Sequence, residues 1–242
     1  MNNFYKDFDF AEAEKLIKLA LREDIGKGDI TSETLIPRNS ISQARLLLKE
    51  NSFISGLKIF EMVFKIIDKS IGITEKVEEG KLYRKGTVLC KIKGNTISLL
   101  KGERTALNIL QRMSGISNNV YNIIKIIGKK PGLLDTRKTT PNFRIFEKLA
   151  VKIGGGINHR KGLYDMMLIK DNHIEACGNI SGVIEVLKKK KNNRKLLGLK
   201  KEIEVKNIEE AMIVKKYGKD LIDIVMLDNF TPDDIKKVIK LL

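Results

Sequence analysis

The sequence predicts an α/β protein with an α+β unit over residues 1–103 and a strand-helix repeating unit over residues 104–242. In the first part, glycines separate short apolar runs and helical patterns, which is typical of a small α+β domain. In the second part, apolar runs alternate with polar helical stretches, which favours parallel βαβ units in a barrel or a doubly wound sheet. Polar residues at the ends of those runs favour the barrel.

The amino-terminal part begins with an amphipathic helix. The stretch FAEAEKLIKLALRED follows Asp9, which has capping-box spacing to Glu12, and Gly26 ends it. The expected buried face consists of Phe10, Ala13, Ile17 and Ala20.

The rest of this part reads as turns, short strands and one helix. DIGKGDITSETLIP is rich in turn residues, ISQARLLLKENSFISG predicts a strand and a turn, and GLKIFEMVFKII predicts a helix. The segment GKLYRKGTVLCKIKGNTISLLKG predicts short strands between its glycines.

The second part opens with the helical pattern ERTALNILQRMSG and continues with apolar runs. The candidate strands are 132–135, 153–158, 166–170, 202–205 and 224–227. Polar residues stand at or just past their carboxyl ends: Asp135, Arg137, Lys138, His159, Arg160, Lys170, Asp171, Glu204 and Asp228. A (β/α) barrel assembles its active site at that end of its strands.

Composition limits the classes of function. The net charge of +16 could attract nucleic acid, anionic lipid or phosphorylated small molecules. Half of that charge lies in the run KKKKNNRKLLGLKK, which lacks the aromatic residues typical of a nucleic-acid surface, so we expect a solvated helix end and loop there.

Membrane and disulfide signals are absent from the sequence. No apolar run is long enough to cross a bilayer, and the first ten residues contain acids where a signal peptide has cations, so we expect a soluble, cytoplasmic protein. Cys90 and Cys177 have no paired spacing, and both are expected to be buried as small apolar residues. His173 is expected to be structural, because a lone His and Cys four residues apart rarely form a metal site.

The strand-end residues form a set with one chemistry. Arg137, Lys138, His159, Arg160 and Lys170 would supply several donors to a strongly anionic ligand, and arginine offers bidentate geometry to carboxylate or phosphate. Glu204 and Asp228 could hold Mg²⁺ or the hydroxyls of a sugar. Each charge taken singly is better explained as a surface ion pair, but the whole set is not. The glycines 154–156 either admit a ligand closely or form a simple turn.

The segments GERTALNILQRMSGI, DTRKTTP, GGGINHRKGLYDMMLIKDNH, EIEVKN and MLDNF resemble the signature segments of quinolinate phosphoribosyltransferases, in that family's order. EDIGKGDITSETLIP is similar to the opening turn of the same family. The resemblance implies a type II phosphoribosyltransferase, with an N-terminal α/β sandwich domain over residues 1–103 and a (β/α) barrel over residues 104–242. It also implies a homodimer that uses quinolinate and phosphoribosyl pyrophosphate (PRPP) with Mg²⁺ in NAD biosynthesis.

The resemblance also implies roles for individual residues. Arg104 would reach quinolinate in the partner's site, while Arg137, His159 and Arg160 would bind the two pyridine carboxylates. Lys138 and Lys170 would serve PRPP and the developing charge. Glu204 and Asp228 would hold the ribose hydroxyls directly or through Mg²⁺. The catalytic set is therefore Lys138, Lys170, Glu204 and Asp228.

The sequence leaves alternatives open. The candidate strands are fewer than a full (β/α) barrel has, and the family's late glycine turns do not follow MLDNF, so we expect an incomplete barrel with a weakened phosphate site. A molybdenum-associated, ModD-like or nicotinate-using phosphoribosyltransferase is one alternative, although the segment LIKDNH favours the quinolinate enzymes. A non-catalytic remnant whose basic surface binds RNA, or a dimerising structural subunit, is another.

Overall fold

The computed structural model describes residues 4–128 and 130–241, and the chain divides into two compact units, Met1–His159 and Arg160–Leu242. The first unit contains α1 (Phe10–Ile25), α2 (Ile30–Leu35), β1 (Ile41–Leu47), β2 (Ser52–Ile54), α3 (Leu57–Ile67), β3 (Gly72–Thr74), β4 (Lys81–Tyr83), β5 (Val88–Asn95), α4 (Thr96–Ile127) and α5 (Arg144–Ile153). The second contains β6 (Met167–Ile169), α6 (Asp171–Ala176), α7 (Ile180–Lys189), β7 (Lys201–Val205), α8 (Ile208–Gly218), β8 (Ile224–Leu227) and α9 (Pro232–Leu241). The predicted α/β class is confirmed.

Helix α1 begins and ends where the sequence predicts. The Asp9 side chain accepts a hydrogen bond from the main-chain N–H of Glu12 at 2.9 Å, and Gly26 closes the last turn with a φ of 56°. Its buried residues are Ala13, Ile17 and Leu21. Ala20 is only partly buried because Leu21, one turn after Ile17, takes the inward position.

Two segments form helix where turn or strand was predicted. Residues 30–35 form α2, because the Asp29 side chain accepts from the N–H of Ser32 at 3.0 Å. Residues 96–101 form the first turns of α4, because Asn95 accepts from the N–H of Ser98 at 3.1 Å. In both places a capping side chain satisfies a main-chain donor that a turn would leave to solvent. The predicted boundary between residues 103 and 104 therefore falls inside α4.

The core of the first unit lies between its sheets and helices α1, α3, α4 and α5. Strands β1, β5 and β3 form an antiparallel sheet in that order, and β2 pairs with β4. Helices α3 and α4 approach closely at Gly102, where a Cβ atom would lie 2.8 Å from the ring of Phe64. Two hydroxyls of α4 tie it to neighbouring main chain: Ser114 donates to the carbonyl of Ser55 at 3.0 Å, and Ser117 donates to that of Ala150 at 2.6 Å.

Glu79 caps helix α3 from a distant part of the chain. Its carboxylate accepts from the N–H groups of Gly56 (2.7 Å) and Lys58 (2.8 Å), which the helix itself cannot pair. The hydroxyl of Tyr5 donates to the same carboxylate at 2.9 Å. Burial raises the pKa of the Tyr5 phenol, and the charge of Glu79 and the hydrogen bond to it raise that pKa further.

Because the pKa of Tyr5 is raised, the free energy of unfolding depends on pH in the alkaline range. Below pH 10, tyrosine is protonated in both states and the contribution of Tyr5 is fully present. Above pH 10 the unfolded chain releases the proton while the folded chain keeps it, so stability falls by up to about 1.4 kcal/mol per pH unit. Urea melts from pH 8 to 11 should show a steeper loss in the wild type than in Tyr5→Phe. Parallel curves for the two proteins would contradict this prediction.

One of the two cysteine expectations is wrong. Cys90 is buried in β5, and burial raises its pKa to about 11, whereas Cys177 is exposed at the end of α6. Both thiols are free. Within the described ranges, no helix combines the length and apolar character that a bilayer crossing needs.

The second unit is built on three parallel strands in the order β6-β7-β8. Met167 pairs with Lys201 at the start of the sheet, and Val205 pairs with Leu227 at its end. Helices follow each strand, as the βαβ pattern predicts, and Ile203 and Val205 are fully buried beneath them. The cationic run at residues 188–195 is exposed at the end of α7, as expected.

The first two candidate strands are not formed as predicted. Within the described residues, the segments 132–135 and 153–158 share one isolated parallel bridge, between Leu134 and Ile157. Residue Ile153 is the last residue of α5, whose apolar face covers the interior with Phe146, Leu149 and Ala150. The apolar run that suggested a strand is therefore the end of an amphipathic helix followed by a turn.

Candidate active site

The segments DTRK and NHR meet in the first unit. The Leu134–Ile157 bridge sets them side by side, and Asp135 joins them through its carboxylate. That group accepts from the N–H of His159 at 2.8 Å and from the side-chain amide of Asn158 at 2.7 Å. Asp135 therefore orients neighbouring groups rather than facing solvent, since its side chain is 6% exposed.

Lys148 of α5 completes this cluster. Its ammonium group lies 2.5 Å from Asp135 Oδ1 and donates to the carbonyl of His159 at 3.0 Å. The carbonyl of Lys148 in turn accepts from the Asn158 amide at 2.8 Å. The predicted site residue His159 is thus held through both its N–H and its C=O.

The loop that carries Arg137 and Lys138 is held by its main chain. Arg144, the first residue of α5, donates to the hydroxyl of Thr139 at 2.9 Å and to the carbonyl of Arg137 at 3.3 Å. Lys138 is exposed. The Arg137 Nε is buried and has no hydrogen-bond partner among the described residues. A buried donor without a partner costs about 1–3 kcal/mol, a cost that an acceptor on a ligand would offset.

An ion pair between α4 and α5 also contacts the loop that carries Arg137 and Lys138. Arg112 of α4 contacts the buried carboxylate of Glu147 through Nε at 3.1 Å and through a terminal nitrogen at 2.7 Å. That terminal nitrogen also donates to the Thr140 hydroxyl at 3.0 Å, and Glu147 accepts from the N–H of Thr140 at 3.3 Å. Two buried charges of α5, Glu147 and Lys148, therefore both serve the predicted substrate segments.

The glycine run at residues 154–156 lies against protein rather than open space. A Cβ atom on Gly154 would lie 2.7 Å from the carbonyl oxygen of Ser117, and Gly155 has a φ of 97°. Of the two interpretations of this run, the turn is the one that the structure supports. Its glycines let the chain leave α5 close to α4.

The second unit gathers residues at the carboxyl edge of its parallel sheet. Lys170 follows β6, Glu204 lies near the end of β7 and Asp228 follows β8, whose register with β7 brings the three strand ends to one edge. The Lys170 ammonium lies 3.2 Å from Glu204 Oε1, and the N–H of Asp228 donates to the carbonyl of Val205 at 3.0 Å. This edge thus combines one cation with two carboxylates.

The remaining predicted residues have separate positions. Arg104 is exposed on α4, and Arg160 donates to the carbonyl of Met166 at 3.4 Å within the second unit. Asp171 begins α6, and His173 accepts a hydrogen bond at Nδ1 from the N–H of Lys170, which supports its structural role. The described structure thus presents most of the predicted residues as two groups, one in each unit, with Arg104 outside both.

The sequence reasoning missed four supporting residues: Arg112, Arg144, Glu147 and Lys148. The helical pattern gave no signal for Glu147 and Lys148, because on a helix they point away from the apolar stripe of Phe146, Leu149 and Ile153. Positions opposite such a stripe are ordinarily solvated. The arginines gave no signal either, since their partners lie far apart in the sequence.

Comparisons with known proteins cover both parts of the chain. The family model described as quinolinate phosphoribosyl transferase, N-terminal domain, matches residues 29–114, and that of the C-terminal domain matches residues 117–242. The chain is 38% identical over 223 residues to quinolinate phosphoribosyltransferase (decarboxylating) 2b, mitochondrial, of Nicotiana tabacum. This match covers 90% of the chain and 63% of the tobacco protein, so the chain spans less than two thirds of that relative's length.

Bacterial proteins are similarly related. The chain is 36% identical over 231 residues to the probable nicotinate-nucleotide pyrophosphorylase (carboxylating) of Bacillus subtilis, covering 95% of the chain and 77% of that protein. The crystal structure of NadC from Streptococcus pyogenes superposes with a TM-score of 0.88 at 32% identity, over 98% of this chain and 81% of that one.

Proposed function

Because the chain belongs to the quinolinate phosphoribosyltransferase family, we propose that it transfers the phosphoribosyl group of PRPP to quinolinate. The reaction releases pyrophosphate and CO₂ and gives nicotinate mononucleotide, a step of de novo NAD biosynthesis. The activity is that of a pentosyltransferase, nicotinate-nucleotide diphosphorylase (carboxylating).

The observation that carries this proposal is the unpartnered, buried Nε of Arg137, on a segment that the Leu134–Ile157 bridge sets beside the segment of His159. A dicarboxylate would supply the missing acceptor, and arginine binds carboxylates through two parallel hydrogen bonds. Arg144 and Glu147 hold the main chain of the loop through hydrogen bonds, which would help to orient the donors before a ligand arrives. We assign Arg137, His159 and Arg160 to the two carboxylates of quinolinate.

The carboxyl edge of the second sheet fits the phosphoribosyl group. Departure of pyrophosphate leaves positive charge on the sugar and negative charge on the leaving group. Lys170 would stabilise the leaving charge, and Glu204 and Asp228 would hold the ribose hydroxyls. Catalysis here is orientation of the pyridine nitrogen and electrostatic stabilisation, without a nucleophilic side chain. Lys138 would favour the charge that develops when the carboxylate beside the ring nitrogen leaves as CO₂.

The residues present fit a magnesium ion that arrives with PRPP. Mg²⁺ is commonly bound by one or two carboxylates together with substrate phosphates, and Glu204 and Asp228 provide the carboxylates at neighbouring strand ends. Within the described ranges, no group of three or more His, Cys, Asp or Glu side chains could hold a metal alone. Bound there, the ion would neutralise pyrophosphate charge.

The test is a stoichiometric assay of the purified protein with PRPP and Mg²⁺. We expect nicotinate mononucleotide and CO₂ to form in equal amounts with quinolinate, and no product with nicotinate. Equal turnover with nicotinate would favour the ModD-like or nicotinate-using alternative. No turnover with either, together with RNA retention that falls steeply with salt and persists in Arg137→Ala, would favour the RNA-binding remnant.

We further propose a homodimer in which Arg104 enters the partner's site. In support, Arg104 is exposed on α4 and makes no hydrogen bond or ion pair among the described residues. Mixing the variants Arg104→Ala and Arg137→Ala should restore about a quarter of wild-type activity, since half of the re-formed dimers then contain one intact site. No recovery after verified subunit exchange would contradict the shared site.

We also propose a cytoplasmic location. The free thiols Cys90 and Cys177 suit a reducing compartment. Fractionation of cells that express the tagged protein tests this, and recovery in the membrane fraction would contradict it.

A further inference from the structure

We propose that Lys148 is a positioning residue that fixes His159 relative to Arg137 through the carboxylate of Asp135. The role of His159 in binding quinolinate rests on the proposed function, whereas the positioning itself is a property of the fold. Lys148 lies on α5, and its side chain is 6% exposed. Its contacts with the two substrate segments are therefore not those of a surface lysine.

The burial of this ion pair requires an explanation. Lys148 and Asp135 are both 6% exposed and lie 2.5 Å apart, while the other buried residues of α5, apart from Glu147, are apolar. Removing two charges from water is unfavourable, and well-packed apolar residues often serve stability as well or better. The pair is therefore better explained by the groups that it orients than by the stability that it adds.

The groups that the pair orients are the main-chain N–H and C=O of His159. The N–H of His159 donates to Asp135, and its carbonyl accepts from Lys148. With both held, rotation of the peptide units around His159 is restricted, which sets the direction of the Cα–Cβ bond from which the imidazole extends. The side chain of Asn158 is held by the same two residues, through Asp135 Oδ2 and the carbonyl of Lys148.

The same carboxylate belongs to the other substrate segment. Asp135 stands two residues before Arg137, so this cluster links the main chain of His159 to the segment that carries Arg137. Lys148 contributes to the substrate site without facing it, which distinguishes it from Lys138. Its loss should weaken quinolinate binding and leave PRPP binding nearly unchanged, because Lys170, Glu204 and Asp228 lie on another sheet edge.

The chain offers a direct spectroscopic test, since it contains two histidines, His159 and His173. Protein with isotope-labelled histidine rings gives two sets of ring signals, and His173→Gln assigns them. In Lys148→Met, the signals of His159 should shift and broaden while those of His173 stay unchanged. Lys65→Met is the matched control, because Lys65 also donates to two main-chain carbonyls, those of Lys69 and Ile71.

Kinetics give the second readout. A misplacement of about 1 Å can lower turnover about 10²-fold, and we expect kcat/KM for quinolinate to fall by that order in Lys148→Met while KM for PRPP changes less than about twofold. Lys148→Arg should restore much of the loss, because arginine can donate to both acceptors. If Lys148→Met does not fold, the double variant Lys148→Met/Asp135→Asn removes both buried charges, and its His159 signals are compared with those of Asp135→Asn alone.

The outcomes separate the two proposals. Unchanged His159 signals in a folded Lys148 variant, or equal losses for quinolinate and PRPP, would overturn the positioning role. If the wild type lacks activity with quinolinate, the proposed function fails, and the ring signals still decide whether Lys148 positions His159.

Discussion

Replacing Arg137 with alanine should lower kcat/KM for quinolinate by about 10²- to 10⁴-fold without lowering the melting temperature. The activity loss follows from two charge-assisted hydrogen bonds at about 1.5–3 kcal/mol each. The unchanged stability follows from the buried Nε, which has no partner among the described residues. Removing an unsatisfied buried donor relieves an unfavourable term, so Arg137→Ala should melt at the wild-type temperature or above it.

Two controls sharpen this expectation. Arg137→Lys keeps the charge but not the bidentate geometry, and should recover only part of the activity. Arg22→Ala removes one exposed cation from the last turn of α1, so it tests the effect of net charge alone. A large drop in melting temperature in Arg137→Ala would mean that its guanidinium supports the fold and would contradict its assignment to the ligand.

Replacing Glu204 with glutamine should raise KM for PRPP and lower kcat/KM by about 10- to 100-fold. The variant keeps the size of the side chain and removes the charge that would hold a ribose hydroxyl or Mg²⁺, a contact of about 1.5–3 kcal/mol. Stability should change by less than about 1 kcal/mol, because the ion pair with Lys170 is partly solvated and such pairs contribute little.

The magnesium dependence separates the two possible contacts of Glu204. If the carboxylate acts through Mg²⁺, Glu204→Gln should need more Mg²⁺ for half-maximal rate, and if it binds ribose directly that requirement should not change. Glu209→Gln, on the exposed start of α8, is the matched control. An unaltered KM for PRPP in Glu204→Gln would remove Glu204 from the phosphoribosyl site.

The sequence predicted those parts of the fold that local chemistry determines. Helices α1 and α3 and strands β6, β7 and β8 lie close to the predicted ranges, because their apolar periodicity and caps agree with their final burial. The failures are equally local in origin. The residues of α2 and the first turns of α4 contain turn-forming and β-branched residues, and the caps Asp29 and Asn95 outweighed those preferences.

The residues that support the site could not be predicted from the sequence in the same way. The residues that would touch substrate lie in recognisable motifs, and their functional roles remain predictions. The residues that orient them do not lie in such motifs. Arg112 and Glu147 are 35 positions apart in the sequence, and Lys148 and Asp135 are 13 positions apart. Contacts of that separation depend on how α4 and α5 pack, and periodicity within one segment carries no information about it.

Helix α4 has a consequence for how the protein can be divided. The two segments that family comparison separates, residues 29–114 and 117–242, meet inside this 32-residue helix. On either side of that junction, the hydroxyls of Ser114 and Ser117 join α4 to Ser55 and Ala150. The segments are units of shared ancestry, but we expect that they do not fold as autonomous modules. A polypeptide cut at their junction would lose the scaffold that both halves share, whereas the boundary after residue 159 leaves that scaffold whole.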